Sequence, residues 1–284
     1  MFVDIGSGAI AVRKFLLPFA CLIASQIATA APSCQLTRWS STTTSGGIGV
    51  TLVTGGAMPV QRYAGYCGLL LTAPGNFVTD DSPNDETSFR ARFYVLVTPM
   101  GAETLVLRAR NAAGANMLTV KFTGTAFEFA TSGGVASMSA AVTANRWYSI
   151  ELNWAAGKSM TATLQGAGGV ALPTIGTAAS SVADRIDSVS LGWISGGTAG
   201  SVAVDGYESR RTTAIGRLCR GDANGDSVRN FADQVSLRNE VLLMDISAGQ
   251  PDCNEDGAIN SGDIVCVRNL QLAEKSTCAT SPEL

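Results

Sequence analysis

The chain has 284 residues, with 20 Lys and Arg against 23 Asp and Glu and a formal charge of −3. Bases and acids are interspersed, so neither the basic footprint of a nucleic-acid binder nor a Lys/Arg-rich membrane-surface stretch is present. The sequence contains no His. That excludes Ser-His-Asp and Cys-His nucleophile activation and His-ligated zinc, and leaves enzyme chemistry to carboxylates or to metal.

Residues 1–30 read as an export signal. Arg13 and Lys14 precede an apolar run over 15–24, and Ala28-Thr29-Ala30 matches a small-residue cleavage site. The run is shorter than the ~20 residues needed to span a bilayer. Cleavage after Ala30 predicts a mature chain 31–284 that is secreted or cell-surface, with the periplasm an alternative, and without a membrane span. Cys21 leaves with the signal, so six cysteines remain: Cys34, Cys67, Cys219, Cys253, Cys266 and Cys278. An even count in an exported chain predicts disulfides.

Residues 31–212 are rich in Gly, Ala, Ser and Thr. Strand-like runs recur at 89–98, 103–110, 117–122, 147–154, 160–164, 186–193 and 201–209, separated by turn-forming clusters. Phe89, Ala91 and Phe93 alternate with Arg90 and Arg92, and the segment from Trp147 to Trp154 alternates likewise. Many short strands with turn signals between them predict an all-β sandwich. The order of Trp147-Tyr-Ser-Ile-Glu151, Ser188-Val-Ser-Leu-Gly-Trp193 and Val204-Asp205-Gly-Tyr-Glu208 resembles the concanavalin-like, jelly-roll sandwich of laminin-G and lectin-type modules.

That fold hosts lectins and glycoside hydrolases alike, so it cannot choose between them. A glycosidase needs two carboxyl groups roughly 5–9.5 Å apart. The candidates are Glu151, expected to face solvent; Asp184 with Asp187; and Asp205 with Glu208, which would face opposite sides of a regular strand. No catalytic residue is assigned. A sugar-stacking platform would draw on Trp39, Tyr63, Tyr66, Trp147, Tyr148, Trp154 and Trp193, although such aromatics mostly build sandwich cores.

Residues 210–217 read as a linker or a final strand. Two acidic loops thirty residues apart follow. The first places Asp222, Asn224, Asp226, Asn230 and Asp233 at positions 1, 3, 5, 9 and 12; the second places Asp252, Asn254, Asp256, Asn260 and Asp263 there. Calcium takes about 6–8 oxygen ligands, and a loop of this length supplies them from these positions plus the carbonyl at position 7, here Val228 and Ala258. Two Ca2+ ions are predicted. Gly257 at position 6 and Ile259 at position 8 suit the second loop, where the first has Ser227 and Arg229. A non-Gly residue in a left-handed conformation costs about 1–3 kcal/mol, so the second site is expected to be the tighter.

The register continues past the loops, with Val235, Leu237, Arg238 and Asn239 matched by Val265, Val267, Arg268 and Asn269. Each unit is a loop followed by one helix. Over residues 217–279 this resembles a dockerin domain, the duplicated module that docks onto cohesins in cellulosome-type assemblies. The resemblance implies a small α-helical calcium-binding module, a cohesin-type partner, and a place in polysaccharide degradation. In dockerins positions 10 and 11 set partner choice; here these are Phe231-Ala232 and Ser261-Gly262. If the two units are pseudo-symmetric their termini meet, which predicts Cys219–Cys278. Cys253 with Cys266 would pin the second loop, and Cys34 and Cys67, both in the N-terminal region, are expected to pair locally.

Three functions remain open at this point. The sandwich is a non-catalytic glycan- or protein-binding component, a glycoside hydrolase or lyase, or part of a structural surface protein whose C-terminal module packs on its own sandwich.

Overall fold

The computed structural model describes residues 34–44, 51–53, 62–99, 101, 103–166, 170–273 and 278. The expected export signal, Cys21 and the tail after 278 lie outside the described residues.

Among the described residues fifteen strands run in chain order: β1 Ser41–Thr43, β2 Thr51–Val53, β3 Gly68–Leu71, β4 Asn76–Asp80, β5 Ser88–Val97, β6 Thr104–Arg110, β7 Asn116–Phe122, β8 Phe127–Thr131, β9 Ser137–Met138, β10 Trp147–Ala155, β11 Ser159–Gly166, β12 Val170–Ala171, β13 Ile175–Ala179, β14 Ser188–Gly196 and β15 Val202–Arg210. They form two antiparallel sheets. One has the order β1-β4-β14-β6-β7-β8-β9; the other runs β12-β11-β10-β5-β15-β3-β2, with β13 also on β11. The chain crosses repeatedly between the sheets, as a jelly-roll sandwich does. All seven runs expected from the alternation are strands. The short β1, β2, β9 and β12 carry no period of their own and form where a neighbour supplies the ladder.

Alternation decides which face is inside. Phe89, Ala91 and Phe93 of β5, with Ile150, Leu152 and Trp154 of β10, meet Leu107, Val120, Phe129 and Trp193 of the opposite sheet in one buried core. Burying each large apolar side chain contributes about 1.5–3 kcal/mol.

The other face of β5 and β10 is covered as well. Tyr94, Leu96, Trp147 and Ala203 form a second buried cluster beneath Tyr63. Arg92 donates to the carbonyls of Gly206 and Gly216 and pairs with Glu208 at 3.1 Å. Glu151 does not face solvent as expected: its two oxygens accept the amides of Ile215 and Gly216, at 2.9 and 3.1 Å. Residues 211–218 are therefore neither a loose linker nor a strand. They lie bonded along the sheet and deliver the chain to the C-terminal module.

That module consists of two loop–helix units with α1 Phe231–Val241 and α2 Ser261–Leu272. Its core is Ala223, Leu237, Cys253 and Val267, two pairs each offset by the thirty-residue repeat. The duplication is thus legible in the packing. Disulfides join Cys34–Cys67, Cys219–Cys278 and Cys253–Cys266, with Cα separations of 5.8, 5.4 and 5.9 Å. By the chain-entropy account, closing the loop between Cys219 and Cys278 stabilises by about 4 kcal/mol.

Candidate calcium centre

The two loops fold by the same hydrogen bonds except at position 4, where the Gly225 amide bonds the Asp222 side chain and the Glu255 amide the Asp252 carbonyl. In the first, Asp222 Oδ1 accepts the amides of Gly225 and Asp226, and Oδ2 accepts that of Ser227. Asn224 Oδ1 accepts from the amide of Asp226, and Asp226 Oδ1 from that of Val228. Asp233 accepts the amides of Asn224 and Asn230 at 3.1 and 2.7 Å. The second loop repeats this with Asp252 on Asp256 and Gly257, Asn254 on Asp256, Asp256 on Ala258, and Asp263 on Asn254 and Asn260.

Position 9 also starts each helix. Asn230 and Asn260 are N-caps, and Asp233 and Asp263 close reciprocal capping boxes. Such caps satisfy amides that a helix leaves unpaired at its first turn. The position-12 carboxylate is held by the cap and the loop together, so helix and loop form jointly.

The donor set suits a hard cation: carboxylates, amide oxygens and a carbonyl, without imidazole or thiolate. The Asn230 amide lies 3.3 Å from the Val228 carbonyl and that of Asn260 3.3 Å from Ala258, so both position-7 oxygens turn toward the loop side chains. Among the described residues no Lys or Arg pairs with any of the six loop aspartates. Burial, with Asp263 close by, pushes the Asp252 carboxyl up to about 8; burial raises Asp263 to about 6. Asp222 and Asp233 are raised by burial too. Buried like charges without a counter-charge favour a cation at their centre.

The residues fit calcium in kind. In spacing, no three carboxylates of either loop come within 4.8 Å of one another among the described residues. Among the described residues the only group of three Cys or acidic ligand atoms within 4.8 Å is Cys219, Asp222 and Cys278, and those two sulfurs form a disulfide. When bound, the ion would supply charge neutralisation at Asp252, Asp263 and their equivalents.

Strain falls on both loops. Ser227 at position 6 has φ +66°, as the missing Gly suggests, where Gly257 has φ +82°. At position 4 the roles reverse: Gly225 has φ +77° and Glu255 φ +57°. Backbone cost therefore does not rank the sites.

Surroundings separate them instead. Asp226, Ser227 and Val228 are exposed, whereas Glu255, Gly257 and Ala258 are buried against the sandwich. Glu255 accepts a 2.6 Å hydrogen bond from the Tyr63 hydroxyl and pairs with Arg217. Tyr63 is stacked on Tyr94 with ring centroids 3.6 Å apart. A second anchor is the buried pair Arg62–Glu240, which joins the sandwich to α1. A third is the 2.9 Å bond from the Gly65 amide to the Gly249 carbonyl. Of these residues sequence reasoning singled out Tyr63 alone, and as a sugar-stacking candidate. The one available signal was Glu255, an acid where the first loop has Gly225.

The sandwich acids are engaged structurally. A bulge between Asp205 and Glu208 puts them opposite Tyr94 and Arg92, and so on the same face, contrary to the regular-strand expectation. Asp205 accepts the amides of Tyr63, Ala64 and Gly206, and burial raises it to about 6. Glu208 pairs with Arg92 and Arg210. Asp184 and Asp187 accept loop amides. Of the seven aromatics, Tyr63, Trp147, Tyr148, Trp154 and Trp193 are buried, and Trp39 and Tyr66 reach solvent.

No family model matches the chain, and no curated protein does. Solved structures do match. Cellulose induced protein Cip1 is 14% identical over 65% of this chain and 96% of its own, with TM-score 0.47. Trypanosoma rangeli sialidase in complex with the inhibitor DANA is 15% identical over 52% of this chain and 26% of its own, at 0.40. The botulinum neurotoxin DC binding domain in complex with rat synaptotagmin II is 8% identical over 59% and 43%, at 0.42. This chain thus spans a minor part of the last two. At such scores none of the three bears on ligand or activity.

Proposed function

We propose that this chain is an exported, non-catalytic binding protein whose C-terminal dockerin-like module takes up two calcium ions and is clamped to its own β-sandwich. The observation that carries this is the duplicated loop: the same oxygen donors at the same positions, held by backbone amides at matching positions, with no Lys or Arg paired to the loop aspartates among the described residues. Three disulfides support an oxidising compartment. Among the described residues no helix is long and apolar enough to cross a membrane.

The engagement of Asp184, Asp187, Asp205, Glu208 and Glu151 in structural bonds supports a binding role over glycoside hydrolysis. The link to polysaccharide, as ligand of the sandwich or as substrate of associated enzymes, rests on the dockerin resemblance. The module packs on its own sandwich, as the structural reading holds, yet it does so through the second loop and the end of α1. Phe231, Ala232 and Ser261 stay exposed, which leaves the positions that set partner choice in dockerins open to a cohesin-type protein.

Calorimetric titration of the mature chain with calcium tests the proposal. Two sites reversed by chelation are expected, in the range of about 10⁻⁷–10⁻³ M spanned by sensor and extracellular loops. A heat-free titration, with the same melting temperature in calcium and in chelator, would sink it, because a ligand specific to the folded state must stabilise that state.

A further inference from the structure

The second loop does not stand alone as a metal site. Its position-4 residue Glu255 is 1% exposed, has φ +57°, and lies between two of the proposed ligand positions, Asn254 and Asp256. The Tyr63 hydroxyl and the Arg217 guanidinium, both outside the loop, hold that side chain. Both are themselves fixed. Tyr63 is stacked on Tyr94 and meets Trp147 edge-on at 5.7 Å, while Arg217 also donates to Gln165 Oε1 at 2.9 Å. Two positions on, a Cβ at Gly257 would come 2.9 Å from the Asn145 carbonyl, so the loop backbone itself lies against the start of β10. The first loop has Gly225 at position 4 and no such side chain.

We infer that the sandwich completes the second calcium loop: Tyr63 and Arg217 act through Glu255 as positioning residues that set this loop's affinity, so that calcium binding and intrachain docking are one coupled equilibrium. The inference rests on the calcium reading above. Its logic is linkage. If docking holds Asn254 and Asp256 in the geometry the cation needs, loss of docking weakens the cation by the same factor that loss of the cation weakens docking. The first loop, facing solvent, is independent of these residues.

The test is calcium titration of the mature full chain carrying Arg217→Ala, Tyr63→Phe or Glu255→Gln, with Asp222→Asn and Asp252→Asn identifying each loop's site. Arg217→Ala is expected to weaken the second site at least tenfold and Tyr63→Phe by about threefold, with the first site unchanged within twofold. In the wild-type chain, filling the second site should slow hydrogen exchange at the Leu218 and Gly65 amides, which bond Tyr94 and Gly249 across the junction. Tyr63→Phe keeps the ring stack, so this arm stands if Arg217→Ala fails to fold. Equal loss at both sites, or unchanged affinity in Tyr63→Phe and Glu255→Gln, overturns the inference. Absence of any calcium binding by the wild-type chain overturns the calcium reading instead.

Discussion

Arg62 and Glu240, 178 positions apart, form a buried ion pair that ties the sandwich to the end of α1. Their side chains are 0% and 8% exposed. The Arg62 guanidinium also reaches the Gly65 carbonyl, and the Glu240 carboxylate accepts the Ser247 amide at 2.9 Å. Removing one partner strands a buried charge. Glu240→Ala should therefore cost about 3–5 kcal/mol, while the apolar double replacement Arg62→Met with Glu240→Leu should cost far less. Chemical denaturation measures both. A single transition for the whole mature chain is expected, and separate melting of sandwich and module in the wild type would contradict this clamp.

The loop carboxyls set a pH dependence. In the calcium-free chain Asp252 keeps its proton up to about pH 8 and Asp263 up to about 6, whereas unfolded carboxyls lose theirs near 4. Between about pH 4 and 8 the folded state thus binds more protons, and its stability falls as pH rises. A calcium ion bound as proposed would replace those protons, so its affinity should rise over the same window and binding should release protons. Melting temperatures across pH 5–8, with and without millimolar calcium, should diverge as pH increases. Parallel curves would show that the loop carboxyls are not coupled to a cation.

Backbone strain predicts opposite outcomes at position 6. Ser227→Gly relieves a left-handed non-Gly residue on the exposed loop and should stabilise modestly. Gly257→Ala adds a Cβ 2.9 Å from the Asn145 carbonyl at φ +82° and should cost about 1–3 kcal/mol. Thermal unfolding of both variants in saturating calcium checks the signs.

Phe231 is 72% exposed, so it does not pack on the sandwich. Phe231→Ser should leave stability within about 0.5 kcal/mol and weaken capture of a cohesin-type partner more than Ser261→Ala does. Equal capture by both variants would move recognition elsewhere on the module.

Much of this protein is local and therefore legible. Alternation along 89–97 and 147–154 sorts Phe89 and Ile150 from Arg92 and Glu151, because a strand's period of two assigns faces without reference to partners. The repeated Asp-Asn-Asp spacing specifies both loops for the same reason: the backbone amides that bond each loop's Asp and Asn side chains lie at most nine positions away. Cys219 with Cys278 follows from the symmetry of the duplication.

What only the tertiary structure decided is which polar residues are unavailable. Glu151 reads as solvent-facing and Asp205 as a candidate carboxylate, yet these two and Arg92 are each consumed by chain arriving from far away: residues 215–216, Tyr63–Ala64, and Gly216. Glu255, at a loop position that carries no ligand in the repeat, is the buried contact between loop and sandwich. Hydrophobic period reports the face a side chain takes. It does not report what later covers that face, and the docking of the C-terminal module on the outer sheet depends on contacts such as Arg62–Glu240, which no local pattern encodes.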